Sequence, residues 1–168
     1  MKYTIKSYEI HTEARLLLLD GAASIKNLVK RAKELGMTSL AITDHGTMYG
    51  VIDFYKECKI NNIKPILGCE VYVAPRKQSD RVPHQDEANY HLVLLATNEG
   101  YQNLMKLVSA AQLDGIYYKP RVDKDLLREH SKGLIALSAC LGGEVPQYIL
   151  ADKFELFELR ERVRQILI

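Results

Sequence analysis

Ala41-Ile42-Thr43-Asp44-His45-Gly46 is the stretch on which the reading of this chain turns. It continues Ser39-Leu40, and Ser39-Leu40-Ala41-Ile42 reads as a short buried strand. A helix from Ile25 to Leu35, closed by Gly36, precedes it. The strand runs out into a turn that presents an acid and an imidazole side by side. In α/β proteins chemistry collects where strands end. The pattern recurs at Leu67-Gly68-Cys69-Glu70-Val71-Tyr72, at Tyr90-His91-Leu92-Val93-Leu94-Leu95 and at Ala136-Leu137-Ser138-Ala139-Cys140. Four apolar strands each bring a His, Glu or Cys, a set of metal-ligating side chains spread over a sheet or barrel.

Working outward, strands alternate with helices. Tyr3 to Ile10 reads as a strand. Ser24 is an N-cap candidate for the first helix, whose Ile25, Leu28, Val29, Ala32 and Leu35 keep helical spacing. Met48 to Ile60 reads as a second helix with Val51, Ile52, Tyr55 and Cys58 inward, ended by Asn61-Asn62. Ile63 to Gly68 opens the third strand. The polar stretch Pro75 to Ala88 lacks periodicity and reads as a loop. A strand over Asn89–Ala96 follows, then a helix over Tyr101–Gln112. Asp123 is the expected cap of a helix reaching His130. Leu134–Ser138 reads as a strand, Val145–Leu150 as helical, and Lys153–Ile168 as an amphipathic helix. This alternation predicts a parallel α/β sheet or barrel, with parallel strands near Thr4–Ile10, Ser39–Thr43, Ile66–Tyr72, His91–Ala96 and Leu134–Ser138.

Composition narrows the class. A chain of 168 residues with 47% apolar and 26% charged content is expected to be one soluble domain. A net charge of +2, from 23 basic and 21 acidic residues, gives no bulk drive toward nucleic acid. Cys58, Cys69 and Cys140 are odd in number and far apart, which points away from a disulfide framework and toward a reducing cytoplasm. No wholly apolar run, Leu16 to Leu19 included, is long enough to span a bilayer, and no membrane partner is expected. The N-terminus lacks the apolar core of a signal peptide.

Several blocks, in order, carry a resemblance. They are Leu18-Leu19-Asp20-Gly21-Ala22, Ala41 to Gly46, Met48-Tyr49-Gly50 and Ile63 to Glu70. Further on come His91 to Ala96, Gly100 to Leu104, Tyr118-Lys119-Pro120-Arg121 and Gly133 to Gly143. Together they resemble the polymerase and histidinol phosphatase (PHP) domain, in the form found at the N-terminus of bacterial replicative DNA polymerase III alpha subunits. The resemblance runs from about Leu18 to about Glu158. It implies a distorted seven-stranded β/α barrel with a trinuclear metal site at the ends of its strands. Carried over by position, it implies Asp20, His45, Glu70, His91 and Cys140 as ligands, with His45, Glu70 and His91 as the catalytic set. Asp44 would be a neighbouring acid that orients the site. The implied cofactor is a divalent metal, zinc first or manganese, at partial occupancy. The chemistry is phosphoester hydrolysis: clustered metals lower the pKa of a bridging water and clamp a phosphate.

Two departures from the family pattern stand out. The family opens with His-x-His, where this chain has Ser7-Tyr8-Glu9-Ile10-His11-Thr12-Glu13. Counted back from Asp20 without a gap, the ligand positions are Glu9 and His11. Matched on His11-Thr12-Glu13, they are Ser7 and Glu9. The family's last ligands, in an Asn-Asp-x-His segment, lie well beyond Cys140 and have no counterpart before Ile168. The expectation is therefore a single domain over residues 1–168, an incomplete PHP-type barrel lacking its final strands. Its expected function is that of a PHP piece of a replicative polymerase, mainly structural, with a degenerate metal site and weak or absent hydrolysis. A metal-dependent phosphoesterase or 3′-5′ exonuclease acting on DNA is the alternative. A further one is an engineered soluble or self-assembling piece, suggested by the apolar runs Leu16–Leu19 and Gln165–Ile168. Expected partners are the remaining polymerase domains, DNA, and a second copy through the open barrel edge.

Plainer readings stand beside these. Asp44-His45-Gly46 suits a metal-free turn. His91 suits a hydrogen-bonded edge histidine, and Cys69 and Cys140 suit small buried apolar positions. His84 and His130 read as solvated. Arg76, Lys77, Arg81 and Arg121 read as ordinary surface charge, with phosphate contact as the alternative. Glu70 resists a plain reading, since an acid entering a core needs a partner.

Overall fold

Ser24 opens the first described helix as its side chain suggests. In a computed structural model that describes residues 24–151, Ser24 Oγ accepts from the Asn27 amide at 3.3 Å and caps α1, Ile25–Glu34. The helix ends at Gly36, whose φ of +71° is the left-handed conformation glycine adopts without strain. Strand β1, Ser39–Ile42, follows, then α2, Val51–Ile60, then the long strand β2, Lys64–Val73. The expected strand at Thr4–Ile10, the helix at Lys153–Ile168, and Glu9, His11 and Asp20 lie outside the described residues.

After β2 the chain crosses the expected loop and returns as β3, Tyr90–Ala96. Helix α3, Gly100–Leu113, leads to a tight hairpin of β4, Ile116–Tyr117, and β5, Lys119–Val122. This hairpin has no apolar alternation and the sequence reading passed over it. Asp123 caps α4, Lys124–Glu129, by accepting from the Asp125 and Leu126 amides. Strand β6, Leu134–Leu137, and α5, Glu144–Leu150, complete the described residues.

The sheet is mixed, which corrects the all-parallel expectation. β1 and β5 pair parallel with β2, along one of its edges. β3 pairs antiparallel along the other, with Glu70 opposite Val93 and Tyr72 opposite His91. β6 pairs antiparallel with β3 and so runs in the direction of β2. Among the strands expected to be parallel only β3 is reversed, and the short β4 also runs antiparallel to its neighbour β5. A parallel neighbour needs a crossover, usually through a helix. The β2–β3 connection has none, so the chain simply turns back. Among the described residues the sheet is open and the barrel is not closed. The α/β class holds; the closed barrel does not follow from these residues.

Two apolar clusters hold the layers. Leu40 and Ile42 of β1 pack with Val29 and Ala32 of α1 and Val51, Phe54 and Cys58 of α2. On α2 the inward stripe is thus Val51, Phe54 and Cys58, whereas Ile52 and Tyr55, expected inside, are 55% and 42% exposed. Cys69, Val71 and Val73 of β2 and Leu92 and Leu94 of β3 pack against Leu104, Leu107, Val108 and Ala111 of α3. Alternation along a strand then sends Glu70 and Tyr72, with His91 and Val93, to the opposite face.

The loop after β2 is pinned from inside. Arg121, read as surface charge, is fully buried. It donates to the carbonyls of Gly115, Asp86, Gln78 and Asp80 at 2.9–3.2 Å. Asp86, also fully buried, accepts from both arms of the Arg76 fork and from the Val82 amide. Lys77 pairs with Asp125, and Arg81 donates to the Ser79 and Asp114 carbonyls. These cations fold the loop. The sequence reading missed this because a buried arginine satisfied by carbonyls has no pattern signature.

Candidate metal centre

Strand direction explains why the donors meet. β1, β2 and β6 end on one side of the sheet, and the reversed β3 begins there. The segment after β1 stays in register with β2: the Glu70 amide donates to the Asp44 carbonyl at 3.0 Å, and the Gly46 amide to the Glu70 carbonyl at 2.8 Å. This fixes His45 beside Glu70. Gly46 makes the turn with φ +63°, and a β-carbon there would lie 2.8 Å from Pro120 Cγ.

Glu70 is 1% exposed. Its Oε1 lies 2.8 Å from His91 Nδ1 and 3.0 Å from His45 Nδ1, so the buried acid has the partners its burial demands. Cys140 Sγ lies 3.4 Å from His91 Nδ1. The Ser138–Gly143 turn brings it there. The His91 amide donates to the Gly142 carbonyl, and the Gly142 amide points at the Cys140 sulfur at 3.4 Å. A β-carbon on Gly142 would lie 3.2 Å from the His91 ring and push it by a few tenths of an ångström. Ala139, next to the cysteine, holds a left-handed φ of +58°.

Glu70, His91 and Cys140 each offer a ligand atom, all within 4.8 Å of one another. In a tetrahedral zinc sphere neighbouring donors sit roughly 3.3–3.7 Å apart. The 3.4 Å between Cys140 Sγ and His91 Nδ1 matches that spacing and the 2.8 Å between Glu70 Oε1 and His91 Nδ1 is shorter; this donor set, with a second imidazole on the same carboxylate oxygen, suits a zinc-like divalent ion. Asp44 is buried, and a β-carbon on Gly50 would lie 3.2 Å from its Oδ2. Its carboxylate therefore faces the start of α2, where the helix dipole favours an anion.

Tyr72 is the neighbour that sequence reading overlooked. Its ring stacks on His45 at 6.4 Å between centroids and meets His91 edge-on at 5.2 Å. Its place two residues after Glu70 on one strand was the available signal. Gln112 Nε2 donates to the Gly46 carbonyl at 2.8 Å and ties the His45 turn to α3. Of the remaining candidates, His84 is exposed and His130 half-buried, both away from the cluster. Cys69 is a core residue. Burial, then the nearby Asp44 charge, pushes its thiol up to about 12, and it donates to the Asp44 carbonyl.

Comparison with known proteins agrees with this picture. The chain is 48% identical to a DNA polymerase III subunit alpha of Borreliella burgdorferi over 92% of its own length and 14% of the relative's. It is 51% identical to that of Treponema pallidum over 86% of its length and 12% of the relative's. For Helicobacter pylori strain J99 the identity is 52%, over 83% and 12%. The chain thus spans about an eighth of the length of these relatives. An amidohydrolase from Chromobacterium violaceum superposes on 55% of this chain and 29% of its own with a TM-score of 0.39 and 22% identity, a likeness too slight to carry weight. Residues 7–168 match the family described as the PHP domain, and the chain belongs to that family.

Proposed function

We propose that this chain serves as the PHP module of a bacterial, cytoplasmic DNA polymerase III alpha subunit. In this reading Glu70, His91 and Cys140, with His45 alongside, hold a divalent ion, zinc first. The observation that carries it is the 48–52% identity to such subunits, sustained over 83–92% of the chain. The donor geometry supports the metal. A bound ion would supply the positive charge that lowers the pKa of water and neutralises a phosphate. The chain's own contribution is a buried carboxylate that fixes two imidazoles, and an exposed thiol that closes the set. The module's main role is structural, docking on the other polymerase domains, with hydrolysis weak. Its partners are then those domains and, through them, DNA.

Hydrolysis of single-stranded DNA with added Zn²⁺ or Mn²⁺ tests this, comparing the chain with a His45→Ala, Glu70→Ala double variant. The structural reading predicts little activity in either. Robust activity lost in the double variant would instead make the chain a metal-dependent exonuclease. The outer edge of β6 is unpaired among the described residues, and Ile135 and Leu137 are 54% and 47% exposed. A lone copy is therefore expected to self-associate through this edge; light scattering showing a strict monomer at high concentration would contradict that.

A further inference from the structure

Tyr118 occupies an exposed and conformationally strained position. It is the single residue between Tyr117 and Lys119, which pair with each other across the β4–β5 hairpin. Its φ is +60°, a conformation that glycine or asparagine adopts with far less strain. The residue is 75% exposed, so burial does not offset that strain. Strained residues of this kind concentrate at binding sites.

The ring is nevertheless held in place. It packs against Tyr117 with centroids 4.7 Å apart. The Arg121 guanidinium lies 5.0 Å from the Tyr117 ring centroid, and Arg121 is itself fixed by four carbonyls. The hairpin also leans on the metal centre. Pro120 packs on Gly46, and Lys119 Nζ stands 5.3 Å from the centroid of the Tyr72 ring that touches His45 and His91. Lys119 is exposed and forms no ion pair among the described residues.

We propose that this hairpin is a nucleotide-binding lip of the centre: Tyr118 stacks on an unpaired base and Lys119 holds the adjoining phosphate. This rests on the proposed metal reading only for what lies beyond the lip. An aromatic face and an ammonium on successive residues match a base and its phosphodiester. A duplex would keep its base faces covered, so the occupant is a single strand.

The test is fluorescence anisotropy of the full chain with a labelled oligothymidylate, and with an abasic strand of equal length that keeps the phosphates. Tyr118→Ala should weaken oligothymidylate binding roughly five- to a hundredfold, the range for losing one stacked base. It should leave abasic binding unchanged. Tyr118→Asn, which accepts the backbone conformation, should do the same at unchanged or raised Tm, and Tyr118→Phe should retain binding. Lys119→Gln should weaken both strands and reduce the salt slope by about 0.7. Oligothymidylate binding by Tyr118→Ala or Tyr118→Asn within twofold of the parent would overturn the proposal. So would a parent that binds oligothymidylate no better than the abasic strand. Metal content measured on the same samples separates the two ideas: a metal-free chain that still shows the Tyr118 effect keeps the lip and loses the metal.

Discussion

Single side chains carry the chemistry here, and their environments separate residues of one type. Burial pushes the Cys58 thiol to about 11 and the Cys69 thiol to about 12, whereas Cys140 is exposed. Iodoacetamide at pH 8 should therefore modify Cys140 alone, as read by peptide mass spectrometry, and Zn²⁺ should protect it. Labelling of Cys140 at the same rate with zinc present would detach it from the metal. Asp86 offers a pH test. The Arg76 guanidinium, then the Val82 amide, hold its carboxyl below the usual range. A depressed folded pKa means its stabilisation is complete above the ordinary value of about 4 and is lost as pH falls through the lower folded value. Asp86→Asn should lower Tm at pH 7, with the gap closing at acid pH. A gap that does not change with pH would contradict this. At this scale Glu70 was legible in the sequence, because a carboxylate inside an apolar strand calls for partners. Arg121 was not, because carbonyls scattered over residues 78–115 satisfy it.

Elements were legible where a local rule fixes them. Ser24 and Asp123 marked helix starts because their side chains cap them, and apolar spacing marked α3. Alternation along a strand shows its two faces but not its direction; the signal for the reversal of β3 was the helix-free loop over Pro75–Ala88, which the parallel expectation did not weigh. The β4–β5 hairpin was hidden because its strands are too short to alternate. β2 and β3 approach closely at Gly68, where a β-carbon would lie 2.4 Å from the Leu94 carbonyl oxygen. Gly68→Ala should cost about 1–3 kcal/mol by urea denaturation, as backbone rather than a flexible side chain must yield. A neutral effect would show that the pairing is looser. Arg121→Met should cost about 3 kcal/mol or more, since several carbonyls lose their donor. It should also speed proteolysis within residues 75–88, and protection equal to the parent would remove Arg121 from its pinning role.

Across the whole molecule, four distant pieces of sequence converge: the turn after β1, the middle of β2, the start of β3 and the turn after β6. The blocks that carry the family resemblance are largely these pieces, which is why the approach of His45, Glu70, His91 and Cys140 to one another could be anticipated while the closed barrel could not be assigned from residues 24–151. A ligand that ties these pieces together should stabilise the fold, by about 2.7 kcal/mol at a hundredfold excess over Kd. The most direct test of the metal centre is equilibrium dialysis against Zn²⁺ with elemental analysis. It should be run on the parent chain, Glu70→Ala and Cys140→Ala, with Tm followed in parallel. The parent should retain at least one ion and gain Tm, and each variant should bind at least tenfold more weakly. A parent that retains no zinc, or variants that retain it undiminished, would contradict the centre described here.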